Sequence, residues 1–263
     1  MDFFKFFDVG HRDHHVCNPT SEAALDALVE ILALDADARV LDVGCGKAEP
    51  LLRIVQRHGC RGVGVDLSEG FLREARAKVE AAGLADRIEI VHGDAADYEA
   101  PEGSFDLAVC MGASWIFGGH EGTLRALSRW TREGGLVVAG EPYWYDGCPT
   151  PEYAQASGYG PDAFGSHRAN VETGLAQGLA LLHTFVSARQ DFDRYEGLQW
   201  NAVERYAAEQ PDDPDVPELL TRVRQERDLY LRWGRDELGW AIYVFARSGT
   251  MAPPPPRRPE ETR

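Results

Sequence analysis

Two carboxylates and two glycines, set along consecutive apolar runs, are the residues best able to do chemistry in this chain. Residues 39–43 are aliphatic and β-branched and read as a buried strand, yet Asp42 lies within it. An unpaired carboxylate in such a run is costly, so Asp42 points to a ligand rather than to packing. Gly44 and Gly46 follow, and their backbone can take positive φ and lie close to a bound molecule. Leu51, Leu52, Ile54 and Val55 then repeat at helical spacing, which makes the glycines a strand-to-helix turn. A second apolar run, Gly62-Val63-Gly64-Val65, ends in Asp66. A carboxylate at that strand end can accept both ribose hydroxyls of a nucleoside laid across a sheet.

Two ligands suit such a pair of strands, and charge discriminates between them. A dinucleotide sets its pyrophosphate at the helix N-terminus and requires bare N–H groups there. Its fingerprint also calls for a small third glycine where this chain has Glu49, so a pyrophosphate would meet Asp42 and Glu49. A ligand with a positively charged amino acid end meets attraction instead. S-adenosylmethionine, with a ribose diol, a sulfonium and an ammonium, fits better. A nicotinamide-dependent oxidoreductase and a non-catalytic S-adenosylmethionine-binding protein are the competing readings.

These residues need elements to hold them. Thr20 or Ser21 caps a helix carrying Leu25, Leu28, Ile31 and Leu32. After Asp66, Ser68 caps a helix over 69–82, stopped by Gly83. Further strands are predicted at 88–92, ending in Gly93-Asp94-Ala95, at 105–111, ending in Met111, and at 136–139, with a helix over 124–130. Alternating strand and helix implies a parallel sheet covered on both faces, with ligands bound beyond the carboxyl ends of the strands. Asp42, Asp66, Asp94 and Met111 all fall at those ends. Residues 141–165, rich in Pro, Gly and Tyr, read as an active-site loop. A helix over 171–179, a strand over 181–188, a mostly helical aromatic and acidic stretch over 191–235 and a last strand over 240–247 complete the pattern. Residues 1–19 show no clear periodicity, and 252–263, with four consecutive prolines, read as a disordered tail after a single domain over 1–251.

Composition narrows the partners. Against 43 acidic residues stand 27 basic ones, a formal net charge of −16 with no evident Lys/Arg cluster, which argues against nucleic acid. The five scattered cysteines form no Cys-x-x-Cys and suggest reduced thiols in a cytoplasmic protein. No apolar run is long enough to span a bilayer. Phe3-Phe4-Lys5-Phe6-Phe7, flanked by Asp2 and Asp8, reads as a lid or packed terminus rather than a membrane anchor.

From about residue 20 to residue 248 the chain resembles the class I S-adenosylmethionine-dependent methyltransferases. Asp42-Val43-Gly44-Cys45-Gly46, Asp66, Gly93-Asp94-Ala95, Phe105-Asp106 and Arg132-Glu133-Gly134-Gly135 match successive family segments, with Ala48 in place of the usual third glycine. Residues 111–119, 140–144 and 193–196 are similar to a bacterial subgroup acting on small molecules. The resemblance implies a Rossmann-like α/β fold with a seven-stranded, mostly parallel sheet whose last strand is antiparallel, and helical lid additions. It implies that Gly44 and Gly46 approach the methionine portion, that Asp42 lies near its ammonium and that Asp66 holds the ribose. It further implies that Leu67 packs on adenine, that Asp94 and the Ala95 N–H recognise its edge, and that the Met111 backbone lines the methionine tail.

Methyl transfer needs alignment more than acid, because the leaving group is a neutral thioether; a base is required only when the acceptor must lose a proton. The acceptor is expected to be a small molecule methylated at nitrogen or oxygen, in a pocket built partly by 191–235. Glu141, Tyr143 and His15 are the candidate catalytic groups, and Trp115, Trp144 and Tyr195 the candidate substrate contacts. The aromatics of 195–233 are read as helix packing more readily than as a substrate cage. His11, His14 and His15 are read as surface or capping residues rather than as metal ligands. Arg12 suits either a ligand carboxylate or solvent.

Overall fold

A computed structural model describes residues 3–247; the 252–263 tail lies outside the described residues. Seven strands form one sheet in the order β3-β2-β1-β4-β5-β7-β6. These are β1 (Arg39–Val43), β2 (Arg61–Asp66), β3 (Ile88–His92), β4 (Phe105–Met111), β5 (Thr131–Trp144), β6 (Leu179–Val186) and β7 (Leu238–Arg247). The first five run parallel, and β7 lies antiparallel between β5 and β6, as the resemblance implies.

Strand alternation sorts the core into two layers. Val40, Leu107, Val109, Val138 and Ile242 point to one face, covered by α2 (Glu22–Ile31), α3 (Glu49–His58) and α4 (Glu69–Ala81). Leu41, Val43, Ala108, Val137 and Tyr243 point to the other, covered by α5 (His120–Trp130) and α7 (His167–Ala176). Each such fully buried aliphatic side chain contributes roughly 1.5–3 kcal/mol. The predicted caps form: Ser21 accepts from Ala24 N and Ser68 from Phe71 N.

Three elements differ from the sequence reading. First, β5 does not end at Ala139 but pairs with β7 through Tyr143↔Gly239 and Trp144↔Leu238. Gly140 and Pro142 look like strand breakers, but β4 stops at Met111 opposite Gly140. Pairing on that side resumes only at Trp144, opposite Ser166, so Pro142 has no β4 residue to donate to. Proline is tolerated there. Glu141, Tyr143 and Trp144 are therefore buried sheet residues, not loop residues. Second, the helices and strand after it start earlier than expected: α6 (Pro151–Ser157) and α7 occupy much of the predicted loop and its aftermath.

Third, the N-terminal stretch contains a helix, α1 (Phe3–Gly10). It has two apolar faces, which is why no single stripe shows in the sequence. Phe6 and Val9 pack on Val203, Leu219 and Val223, from α8 (Arg189–Glu209) and α9 (Val216–Leu229). Phe4 and Phe7, with His11 just beyond the helix, face a recess at the sheet rim. Lys5 pairs with Asp213 at 2.8 Å, and Ser68 Oγ donates to Asp8 at 2.9 Å. No helix among the described residues is long and apolar enough to cross a membrane.

Phe6→Ala should cost roughly 3–5 kcal/mol of the contact that seats α1. Limited proteolysis should then cut before residue 20 while the remaining chain stays resistant; an unchanged digestion pattern would mean that α1 is held by other contacts.

Candidate active site

The glycine turn is set by backbone geometry and closed by a carboxylate. Gly44 and Gly46 have φ of +67° and +53°, and Gly44 N donates to Val65 O at 2.9 Å. A Cβ on Gly44 would lie 2.4 Å from that of Ala113, so both conformation and space exclude other residues. Gly46 N donates to Asp66 Oδ2 and Ser68 N to Asp66 Oδ1, each at 2.8 Å. Asp66 thus fastens the end of β2 to the turn after β1, with lone pairs left on both oxygens. Ala48, where a third glycine is usual, also takes a left-handed conformation, with φ of +55°.

Above the turn lies a cavity of about 430 Å³, walled by Asp42, Gly44, Gly46, Asp66 and Met111 on the sheet side and by Phe4, Phe7 and His11 on the other. Asp42 is buried, and its Oδ2 has no hydrogen-bond partner. Burial, with the nearby Asp66 charge adding, pushes its carboxyl up to about 8. Burial also raises Asp66, against the backbone donors of Ser68 and Gly46. Glu49 behaves differently: burial works to raise it, but hydrogen bonds from Lys78 at 2.8 Å and Arg53 at 2.9 Å outweigh that and hold it ionised. Its charge is balanced by Arg53 and Lys78, so Glu49 would not repel a pyrophosphate as an unpaired carboxylate would.

The predicted site residues divide into groups. Asp42, Gly44, Gly46, Asp66, Met111, Trp115, His15 and Tyr195 all line this cavity. Trp115 is exposed at its edge. The Met111 carbonyl accepts from Asn18 Nδ2 at 3.2 Å. Leu67, Asp94 and Ala95 do not line it. They sit along the same rim, beyond the paired ends Asp66↔His92; Leu67 and Asp94 are exposed, Ala95 is buried, and Asp94 Oδ1 accepts from Ala96 N at 2.9 Å.

The structure places Glu141, Tyr143 and Trp144 in β5 and away from this cavity. Glu141 is buried in β5, its Oε2 is unpartnered, and burial pushes its carboxyl up to about 7. Tyr143 packs on Tyr145 and His167, and Trp144 on Tyr153 and Phe164. None of the three lines the cavity, because the sheet continues through them. His15 is exposed, 3.4 Å from Glu22, and Arg12 pairs with Glu209 at 2.8 Å rather than reaching inward.

His11 departs from the surface or capping role that the sequence suggests for the histidines. His11 and His14 are both buried. His11 Nδ1 lies 3.1 Å from the Phe7 carbonyl, which requires a proton on Nδ1 and leaves Nε2 to accept. Tyr195 OH donates to that Nε2 at 2.9 Å, and His14 Nε2 donates to the Tyr195 carbonyl at 2.9 Å. Burial, with His14 and Lys47 adding, lowers His11 to about 3, so the imidazole is neutral. Lys47, buried in the glycine motif, donates to the carbonyls of His11 at 2.9 Å and Arg12 at 3.3 Å and pairs with Glu74 at 2.7 Å. It clips the N-terminal segment over the cavity. The only local signal for these roles was the density of histidines and aromatics before residue 20.

A second cavity, of about 540 Å³, shares Phe7, His11, Cys17, Asn18, Gly112, Tyr159 and Tyr195 with the first and extends between α8, α9 and β7. The two spaces adjoin, one at the strand ends and one under the helices.

The fold, the glycine turn and the buried acids define a class I S-adenosylmethionine-dependent methyltransferase, and the chain belongs to that family. The profile described as a methyltransferase domain matches residues 40–135. The Escherichia coli K12 protein YjhP is 31% identical over 246 residues, 93% of this chain and 99% of its own. A Geobacter sulfurreducens S-adenosylmethionine-dependent methyltransferase, solved with S-adenosyl-L-homocysteine, superposes with a TM-score of 0.87 at 31% identity, covering 94% of this chain and 99% of its own. Over a shorter stretch, 44% of this chain and 43% of the other, the 27-O-demethylrifamycin SV methyltransferase of Amycolatopsis mediterranei is 28% identical. S-adenosylmethionine is therefore the methyl donor.

Asp42 makes ligand binding and folding depend on pH. Its carboxyl titrates near 8 when folded but near an ordinary ~3.9 when unfolded, so between these values the folded chain holds the extra proton. The stability it contributes is full below ~4 and lost as pH rises toward 8; Asp42→Asn should remove that slope from the ligand-free protein. A ligand ammonium against Asp42 would ionise it, so binding of S-adenosylmethionine at pH 7 should release close to one proton. Calorimetry in phosphate and in Tris should show this as a buffer-dependent enthalpy, absent in Asp42→Asn. Identical enthalpies in the two buffers for the unmutated protein would contradict it.

Proposed function

We propose that this enzyme methylates nitrogen or oxygen of a small-molecule acceptor seated in the second cavity. The observation that carries the reading is the shared wall: Tyr195 and His11 line both spaces. An acceptor in one cavity therefore meets a donor in the other across a single buried junction. The rifamycin enzyme's name, a methyltransferase acting on a small molecule, supports the substrate class. The acidic surface, at a net charge of −16, disfavours nucleic acid.

In this reading each residue has a role that the geometry supports. Asp42, with its unpartnered oxygen, is positioned for the methionine ammonium, and Asp66 for the ribose hydroxyls. Gly44 and Gly46 give backbone access to the methionine end, and Met111 closes it. Leu67, Asp94 and Ala95 are left to the adenine at the open rim, with Trp115 at the edge. S-adenosylmethionine supplies a methyl carbon on a sulfonium, whose leaving group needs no proton. The protein contributes alignment, worth roughly 7–11 kcal/mol in favourable cases, and exclusion of water. Residues 191–235 form the far wall of the acceptor cavity. Tyr195, its hydroxyl proton committed to His11, presents its oxygen lone pairs to the acceptor and so orients an N–H or O–H.

Incubation with methyl-tritiated S-adenosylmethionine and a library of amines, phenols and carboxylic acids should put label into acid-soluble product. Label confined to acid-precipitated protein or nucleic acid would refute a small-molecule acceptor. With an acceptor identified, Tyr195→Phe should lower kcat/KM roughly 10- to 100-fold. Its affinity for S-adenosylhomocysteine should stay within about twofold of the unmutated protein's, since the phenol serves the acceptor side.

A further inference from the structure

The second cavity carries a charge pattern that selects among acceptors. Its walls are aromatic: Phe192 stacks on Tyr230 with centroids 5.6 Å apart, and Trp240 and Tyr195 close the sides. Three charged side chains line it away from the junction with the first cavity, namely Glu196 on α8, and Arg222 and Glu226 on α9. Arg222 is already used. Its Nε bonds Glu226 Oε1 at 2.9 Å, and its guanidinium lies 3.8 Å from the centroid of the Phe6 ring. The Tyr230 hydroxyl is likewise committed, donating to Asp193 at 2.9 Å. What remains is one carboxylate, Glu196, with no cation paired to it among the described residues and the Trp200 indole beside it.

Burial, with Glu226 adding, pushes the Glu196 carboxyl up to about 8, and burial also raises Glu226 against Arg222. A carboxylate held among aromatic rings without a counter-ion is an expensive arrangement that an incoming cation relieves. Aromatic faces add their own attraction for an ammonium, worth about 0.5–2 kcal/mol per ring in general. The chain's net charge of −16 works in the same direction by concentrating cations at its surface.

We infer that the acceptor is an organic cation, with an ammonium end docked at Glu196 among Tyr230, Phe192 and Trp240, and with its reacting atom reaching the junction at Tyr195. The inference rests on the proposed small-molecule methyl transfer and specifies the class of molecule. It assigns Glu196 to substrate selection, remote from the transferred methyl group.

Three isosteric probes test it: 4-phenylbutylammonium, 4-phenylbutanol and 4-phenylbutyrate, titrated calorimetrically into protein saturated with S-adenosylhomocysteine. The titrations are run at pH 9, above the value of about 8 to which burial pushes Glu196 and where the amine is still charged. The ammonium should bind at least tenfold more tightly than the alcohol, and the carboxylate more weakly than both. Glu196→Gln should erase the ammonium's advantage and leave the alcohol's affinity unchanged, which also shows the cavity intact. Equal affinities, a preference for the carboxylate, no ammonium binding at millimolar concentration, or an advantage surviving in Glu196→Gln would overturn the inference. The initial titration with S-adenosylhomocysteine separates the two claims: if it binds and the ammonium preference is missing, only the acceptor class fails. If it does not bind, the methyl-transfer reading fails with it.

Discussion

A carboxylate kept out of water with one oxygen unpaired is the constraint around which this molecule is arranged. Asp42 lies in the central part of a parallel sheet, between strands that supply no cation to it. Such a group is unfavourable for folding alone, because desolvation penalises its charged form. Everything next to it keeps the space in front of it open. The left-handed glycine turn withholds side chains, and Asp66 ties that turn to the next strand through Gly46 N. The rim thereby presents oxygen acceptors, one of them without any donor, to a ligand that carries positive charge.

The opposite wall comes from the other end of the sequence order. α1 reaches the rim because Phe6 is buried between α8 and α9, while Phe4 and Phe7 on its other side face the cavity. Lys47 binds this wall to the glycine motif itself by holding the His11 and Arg12 carbonyls. A single buried lysine thus couples the turn that shapes the donor site to the segment that covers it. His11, fixed by Phe7 and Tyr195, then stands where the two cavities meet. The covering segment and the junction between substrates are one structural unit.

Packing also explains why the acceptor side is built from helices rather than loops. β7 inserts between β5 and β6, so β5 stays paired to Trp144 and its last residues are committed to the sheet. Polar groups there, Glu141 above all, are enclosed behind the rim. The space on the other side of the rim is left to α8 and α9, where Phe192 of α8 and Tyr230 just after α9 pack on each other and on Trp240 of β7. Reading these aromatics either as packing or as a substrate cage poses a false choice, since one ring can pack with one face and line a cavity with the other.

The sequence by itself determined the sheet, the donor and half of the donor's cradle. Strand-end positions follow from local apolar runs, and the glycines and Asp66 sit at fixed offsets from them, so short-range pattern is enough to put Asp42, Gly44, Gly46 and Asp66 on one rim. Tertiary structure alone decided the rest. His15 and His11 are four residues apart in a stretch without periodicity, and only contact with α8 buries one and exposes the other. Pro142 looks like a break unless one knows that β4 has already ended opposite Gly140. Glu196 becomes distinct from its acidic neighbours only when α9 delivers Arg222 to Glu226 and leaves Glu196 without a cation among the described residues. Those outcomes depend on which distant segments meet, and no local pattern encodes the pairing of surfaces two hundred residues apart, as in Trp240 Nε1 donating to Thr20.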